Sequence, residues 1–164
     1  MNSRDSVPPQ AQASSNFVWP PMIYGTATIF SAVLTWLAPL SFMPKAALVT
    51  MGLIGIAVSV AGVLIVFGAA WAFRRAGTPV APIKPTTALV SEGIYRRTRN
   101  PMYLGLSVML LGLGLATGSL WFLIGLAVAM LAVTKLAIEK EEAYLAHKFA
   151  AAYLDYKSRV RRWI

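Results

Sequence analysis

Residues 100–134 read NPMYLGLSVMLLGLGLATGSLWFLIGLAVAMLAVT, 35 positions without one Asp, Glu, Lys or Arg. A single helix of that length, at about 1.5 Å per residue, would overshoot a hydrocarbon core of about 30 Å. Thr117-Gly118-Ser119 interrupts the run near its middle, and such residues punctuate a helix. The stretch therefore reads as a helical hairpin of two short spans, each about 25 Å long. Arms that short would be tilted, or would sit in a locally thin bilayer.

The same reading extends toward the N-terminus. No charge occurs between Asp5 and Lys45 or between Lys45 and Arg74, and each gap exceeds the roughly 20 residues a crossing needs. The first span is expected from about Met22 to Leu40, with Trp19 and Pro20-Pro21 at its entry and Pro39 and Pro44 at its exit. The second is expected from about Ala47 to Phe73, ending at Arg74-Arg75, with Gly52, Gly55 and Gly62 allowing a neighbouring helix to come close. Of the 164 residues, 57% are hydrophobic and 13% charged, with a mean hydropathy of +0.63. That composition belongs to a membrane protein.

The expected fold is an all-α integral membrane protein with about four transmembrane helices, the last two forming the hairpin. From Ile138 onward a C-terminal amphipathic helix follows, with Leu145, Phe149, Tyr153, Tyr156 and Val160 on one face. Residues 1–19 read as a disordered tail and 20–164 as a single domain. There is no cysteine, so thiol and disulfide chemistry are excluded. The net charge of +9 sits beside the apolar runs, which fits anionic headgroups and topology signals rather than nucleic acid. Six Lys and Arg lie in the Arg74–Arg99 connection and seven from Lys135 onward, against Lys45 in the first loop and Arg4 in the tail. The positive-inside rule then places both termini and the long connection in the cytoplasm of a multi-pass protein.

Polar chemistry concentrates at two places. Residues 93–105 read GIYRRTRNPMYLG, and two readings stand for them. Asn100-Pro101 can simply start a helix, with Asn as N-cap and Pro at the first position, and the arginines as anchors. Alternatively, a helix N-terminus beside Arg99, framed by Tyr95 and Tyr103, is a site for an anionic group. The second place is Glu139, Glu141 and Glu142, three of the six acids in the chain. Helical spacing to Leu145 puts Glu141 or Glu142 on the inward face, where a carboxylate is costly unless paired or binding something. His147 has no partner at metal-ligand spacing, so no metal is assigned.

Two linked signatures carry a resemblance. LVSEGIYRRTRNPMYLG at 89–105 and EEAYLAHKFAAAYLDYKSRV at 141–160 resemble the isoprenylcysteine carboxyl methyltransferases and their bacterial relatives grouped with phospholipid methyltransferases. The similarity covers roughly residues 73–164. It implies an enzyme moving a methyl group from S-adenosylmethionine to a lipophilic small molecule or lipid that arrives laterally from the bilayer. By the resemblance, Leu89 and Val90 enclose the adenosyl part, and Tyr95, Asn100, Pro101 and Tyr103 line a cytoplasmic pocket. Arg99 suits the cofactor's carboxylate, and Glu141 with Glu142 its ammonium or ribose hydroxyls. Asn100 stands where the family motif has histidine. Ala137 stands where prenylcysteine-specific members carry a substrate-holding Arg, leaving an amine, a thiol or another lipid-soluble nucleophile open. Two other classes compete with this reading. A same-fold NADPH reductase needs a 2′-phosphate site that the sequence lacks, and a proton-coupled exporter needs an acid within a span.

Overall fold

The computed structural model describes residues 20–79 and 87–164. The tail read for residues 1–19, Trp19 included, and the middle of the long connection, 80–86, lie outside the described residues. Helix α1 spans Pro20–Leu37. It begins on the proline pair, because proline in a first turn gives up only an amide that has no partner there, and it stops short of Pro39. A short 3-10 turn, Lys45–Ala47, leads into α2, Leu48–Arg75. The arginine pair forms its last turn, where cations complement the helix dipole.

Two helices meet at the expected break. Helix α3 is Pro101–Thr117 and α4 is Leu120–Val133. Gly118 between them takes φ 64, the left-handed conformation that ends helices at low cost for glycine. Helix α4 then runs without a break through a π-turn, Thr134–Ile138, into α5, Glu139–Arg159. Helix α5 is not one straight amphipathic rod. Ala150 adopts φ 41 and ψ −119 and splits it in two. Tyr153 and Tyr156 beyond the split are buried, while Leu145, Phe149 and Val160 are half-buried.

Helix α2 packs along α3, α1 along α4, and α3 against α4. The α2–α3 seam is made by glycine. A Cβ on Gly55 would lie 2.5 Å from the Gly112 carbonyl, and one on Gly62 2.6 Å from the Gly105 carbonyl. Helix α1 is held by hydroxyls: Tyr24 and Ser107 share a hydrogen bond of 2.7 Å, Thr35 and Ser119 one of 2.6 Å, and Ser31 donates to the Trp121 carbonyl at 3.0 Å. In an apolar surrounding such pairs tie helices together. At the end holding Lys45 the two loops are zipped, with Phe42 N donating to Gly118 O (3.1 Å) and Leu120 N to Leu40 O (2.8 Å).

Among the described residues, Lys45–Arg75 and Leu120–Arg159 are long and apolar enough to cross a membrane, and Pro101–Thr117 is apolar but shorter. Four spans were expected and two meet that measure. Helix α1 dilutes its apolar residues with three Thr, one Ser and two Pro, and α3 has 17 residues. The outward face of α2 carries Val49, Leu53, Val60, Leu64, Phe67 and Trp71, all exposed. A charge-free apolar stripe of that length is a surface for lipid, not water, and the protein is membrane-associated.

Candidate active site

The chemistry gathers at the end of the bundle opposite the zipped loops, where α2 ends, α3 begins and α4 passes into α5. The connection is pinned there by Tyr95, whose ring meets Phe73 of α2 edge-on at 5.4 Å. Tyr95 lies in a short 3-10 turn, Gly93–Arg96, and is buried. Leu89 and Val90, a few residues before it, are half-buried and outside any helix. Burial raises the Tyr95 phenol well above its ordinary value, and nearby Tyr156 and Glu141 add to the rise. It is therefore a neutral hydrogen-bonding group.

Helix α3 starts one residue past Asn100. Its carbonyl accepts Leu104 N at 2.9 Å, and Pro101 holds the first position. Asn100 thus occupies the N-cap position, but its side chain makes no capping hydrogen bond. The amide Nδ2 donates instead to the Arg162 carbonyl at 3.0 Å. Among the described residues the first-turn amides of α3 are left without a side-chain acceptor.

Adjacent residues on a helix point about 100° apart, and the two glutamates use that difference. Both lie past α4 and its π-turn, outside the apolar stretch. Glu141 faces α3, where Tyr103 Oη donates to its Oε1 at 2.5 Å. Burial raises its carboxyl to about 7. The Tyr103 hydrogen bond opposes that rise and the Glu142 charge adds to it. No cation touches Glu141 among the described residues. Glu142 faces the chain terminus and is crowded with cations. Arg162 binds it through Nε and Nη2 at 2.9 and 3.0 Å, Arg99 approaches at 3.1 Å and Lys157 at 3.5 Å. Burial pushes the Glu142 carboxyl up, but the Arg162 hydrogen bonds and the three positive charges outweigh it, leaving the group below its usual value.

The nine residues read from sequence as cofactor-binding, Leu89, Val90, Tyr95, Arg99, Asn100, Pro101, Tyr103, Glu141 and Glu142, therefore fall into subsets. Tyr103 and Glu141 meet directly, and Tyr95 stands close enough to feel the Glu141 charge. Arg99 and Glu142 pair with each other, and Arg99 also donates to Tyr153 Oη at 3.3 Å. The Arg99 Nε is buried without a hydrogen-bond partner among the described residues. Asn100 ties down the C-terminal segment. The sequence reading placed Tyr153 on the inward face of the C-terminal helix but assigned no site role to Tyr153, Lys157 or Arg162. Their signal is present only as a basic, tyrosine-bearing end whose contacts depend on the kink at Ala150. Glu139, third of the acids, pairs with Lys135 on the surface at 2.7 Å.

An open cleft of about 370 Å³ lies on the outer side of Tyr156, lined by Ser91, Glu92, Arg96, Arg159 and Val160 as well. Among the described residues no cluster of His, Cys, Asp or Glu has the makings of a metal centre.

Comparison with known proteins adds three findings. No solved structure matches this chain. An uncharacterized protein of Haemophilus influenzae is 38% identical over 63 residues, 38% of this chain and 100% of that protein. A family model described as phospholipid methyltransferase matches residues 50–152, from early α2 to the second half of α5. That match spans more than half of the chain and takes in both Tyr103 and Glu141, and the chain belongs to the phospholipid methyltransferase family.

Proposed function

We propose that this protein is a multi-pass membrane enzyme transferring the methyl group of S-adenosylmethionine to a lipophilic nucleophile. The observation that carries the proposal is the Tyr103–Glu141 pair, a half-buried carboxylate with no cation on it among the described residues, set beside the start of α3, where Asn100 makes no side-chain cap. The residues present fit that cosubstrate. A carboxyl raised to about 7 and lacking a positive partner among the described residues is suited to an ammonium or a ribose hydroxyl. The first-turn amides of α3 and the Nε of Arg99, both without a side-chain partner among the described residues, favour a carboxylate. Leu89, Val90 and Tyr95 offer an apolar and aromatic wall for an adenine.

Bound S-adenosylmethionine supplies an electrophilic methyl on a sulfonium, a leaving group needing no acid. The tasks left to the chain are alignment and exclusion of water. Tyr103 holds Glu141 in one orientation and keeps its second oxygen available. Asn100 and Pro101 start α3 so that its dipole points into the site. Glu142, paired with Arg99 and Arg162, braces these groups rather than facing the ligand. The nucleophile arrives from the bilayer side, and a phospholipid amine, a prenylcysteine-like carboxylate and another small lipid-soluble nucleophile all suit that route. In this reading residues 20–164 form one domain with four crossings, and both termini and the site face the cytoplasm.

The test is calorimetry of S-adenosylmethionine binding in a detergent that preserves the fold, followed by radiolabelled methyl transfer to lipid extracts. Binding that weakens strongly in Glu141→Ala and Tyr103→Ala supports the reading. Absence of binding by the folded wild-type protein overturns it.

A further inference from the structure

Arg162 lies ten residues beyond the last residue of the family match, yet three parts of the site converge on it. Its carbonyl accepts hydrogen bonds from Thr98 Oγ1 at 3.2 Å and Asn100 Nδ2 at 3.0 Å. The preceding carbonyl, Arg161, accepts Arg99 N at 3.0 Å. Three consecutive residues immediately ahead of α3 are thus fixed by two consecutive carbonyls near the end of the chain. The Arg162 guanidinium turns the other way and grips Glu142 with two parallel hydrogen bonds of 2.9 and 3.0 Å, the strongest geometry available to an arginine. Trp163 then packs against the bundle core around Tyr24, Val133 and Ile138.

The consequence is mechanical. Tyr103 sits in the first turn of α3, three residues past Asn100, and Glu141 is next to Glu142. Both partners of the 2.5 Å hydrogen bond therefore hang from one residue, by its backbone on one side and its side chain on the other. We propose that Arg162 is a positioning residue, fixing Tyr103 and Glu141 against each other and neutralising Glu142 beside them. This gives Asn100 a task where the related motif has histidine: an uncharged amide donor to the Arg162 carbonyl, in a place already crowded with arginines. The proposal rests on the Tyr103–Glu141 pair being the ligand site, but part of its test needs no ligand.

Glu141 is faced by Tyr103 from α3, by Tyr95 from the 3-10 turn and by Glu142 on its own helix, with Arg99, Lys157 and Arg162 gathered on Glu142. Removing the Arg162 charge leaves Glu142 less neutralised, so Glu141 must ionise at higher pH. The experiment is an infrared titration of the ligand-free, full-length protein, following the carboxyl band that disappears in Glu141→Gln. The wild-type midpoint is expected near 7, raised by about half a unit to one unit in Arg162→Gln by loss of one nearby charge. Arg162→Lys, which keeps the charge but not the fork, is expected to lie between. S-adenosylmethionine affinity should fall several-fold in Arg162→Gln at neutral pH and recover on raising the pH, which loss of mere stability would not do. An unmoved midpoint in a folded Arg162→Gln protein overturns the proposal, as does a wild-type protein with no such band near neutrality. If Arg162→Gln does not fold, Arg162→Lys and Asn100→Ala decide by the same midpoint. A wild type that titrates as expected but binds no S-adenosylmethionine counts against the proposed function and leaves Arg162 in its role.

Discussion

Glu141 and Glu142 are chemically identical neighbours whose environments drive them apart, and each has its own stability signature. The Glu141 carboxyl is raised from 4.5 to about 7 by burial, with Tyr103 opposing and Glu142 adding, so between those values the folded protein holds a proton that the unfolded chain releases. Its contribution therefore declines as pH rises from the ordinary carboxylate value to about 7 and is constant above. The cost of ionising it in the fold is on the order of 3 kcal/mol for that displacement. Glu141→Gln, which keeps an acceptor for Tyr103, should raise the apparent melting temperature at pH 8 and leave it nearly unchanged at pH 5. An equal effect at both values would rule out a buried, titrating Glu141. Glu142 has the opposite sign, because its lowered value contributes stability that is lost only as pH falls below the usual carboxylate range. Glu142→Ala strands Arg99, whose side chain is 10% exposed, and should cost about 3–5 kcal/mol, the range for breaking one side of a buried pair. A loss below about 1 kcal/mol, the size of a surface pair, would show that the cluster is solvated.

At the scale of elements, the helices were legible where the sequence carries a physical stop. Gly118 at φ 64, Pro101 at the start of α3 and the Arg74-Arg75 end of α2 all mark their boundaries in the residues themselves. The kink in α5 was not legible, because Ala150 is a helix former and nothing local predicts φ 41 there. Nor was it legible which of the two glutamates faces α3, because the π-turn at Thr134–Ile138 ahead of them alters the helical register from which their faces would be counted. The contacts of Arg162 depend on both. A strained alanine is testable, since glycine tolerates positive φ without a Cβ clash: Ala150→Gly should stabilise the protein by about 1 kcal/mol, and a destabilisation of that size would mean α5 is continuous. The α2–α3 seam gives a contrast within one residue type. A Cβ on Gly112 would lie 2.5 Å from Ser59 N, whereas one on Gly68 meets nothing within 4 Å. Gly112→Ala should cost about 1–3 kcal/mol, as overpacking does. Gly68→Ala should gain about 0.5–1 kcal/mol from helix propensity. Equal effects on melting would mean that α2 and α3 do not meet along their glycines.

Across the whole molecule, charge and chemistry segregate to one end. Arg74, Arg75, Arg99, the glutamates and the C-terminal cations gather where α2 ends, α3 starts and α5 begins, while the other end holds Lys45 and the loops joined through Ser41 and Ser119. In a bilayer an asymmetric distribution of Lys and Arg fixes orientation, so the site end should face the cytoplasm and the Lys45 end the opposite side. In the proposed four-span arrangement the start of α1 and the end of α4 share one side, since both lie at the site end, with Tyr24 bonded to Ser107 and α4 leading directly into Glu139. The absence of native cysteine makes this directly measurable with single introduced thiols at exposed positions. Lys45→Cys should react with a membrane-impermeant maleimide on intact cells, whereas Arg75→Cys and Ser158→Cys should react only after permeabilisation. The reverse pattern would invert the orientation and place the site away from cytoplasmic S-adenosylmethionine. Labelling of all three from one side would show that α2 does not cross, and the four-span arrangement would fall with it.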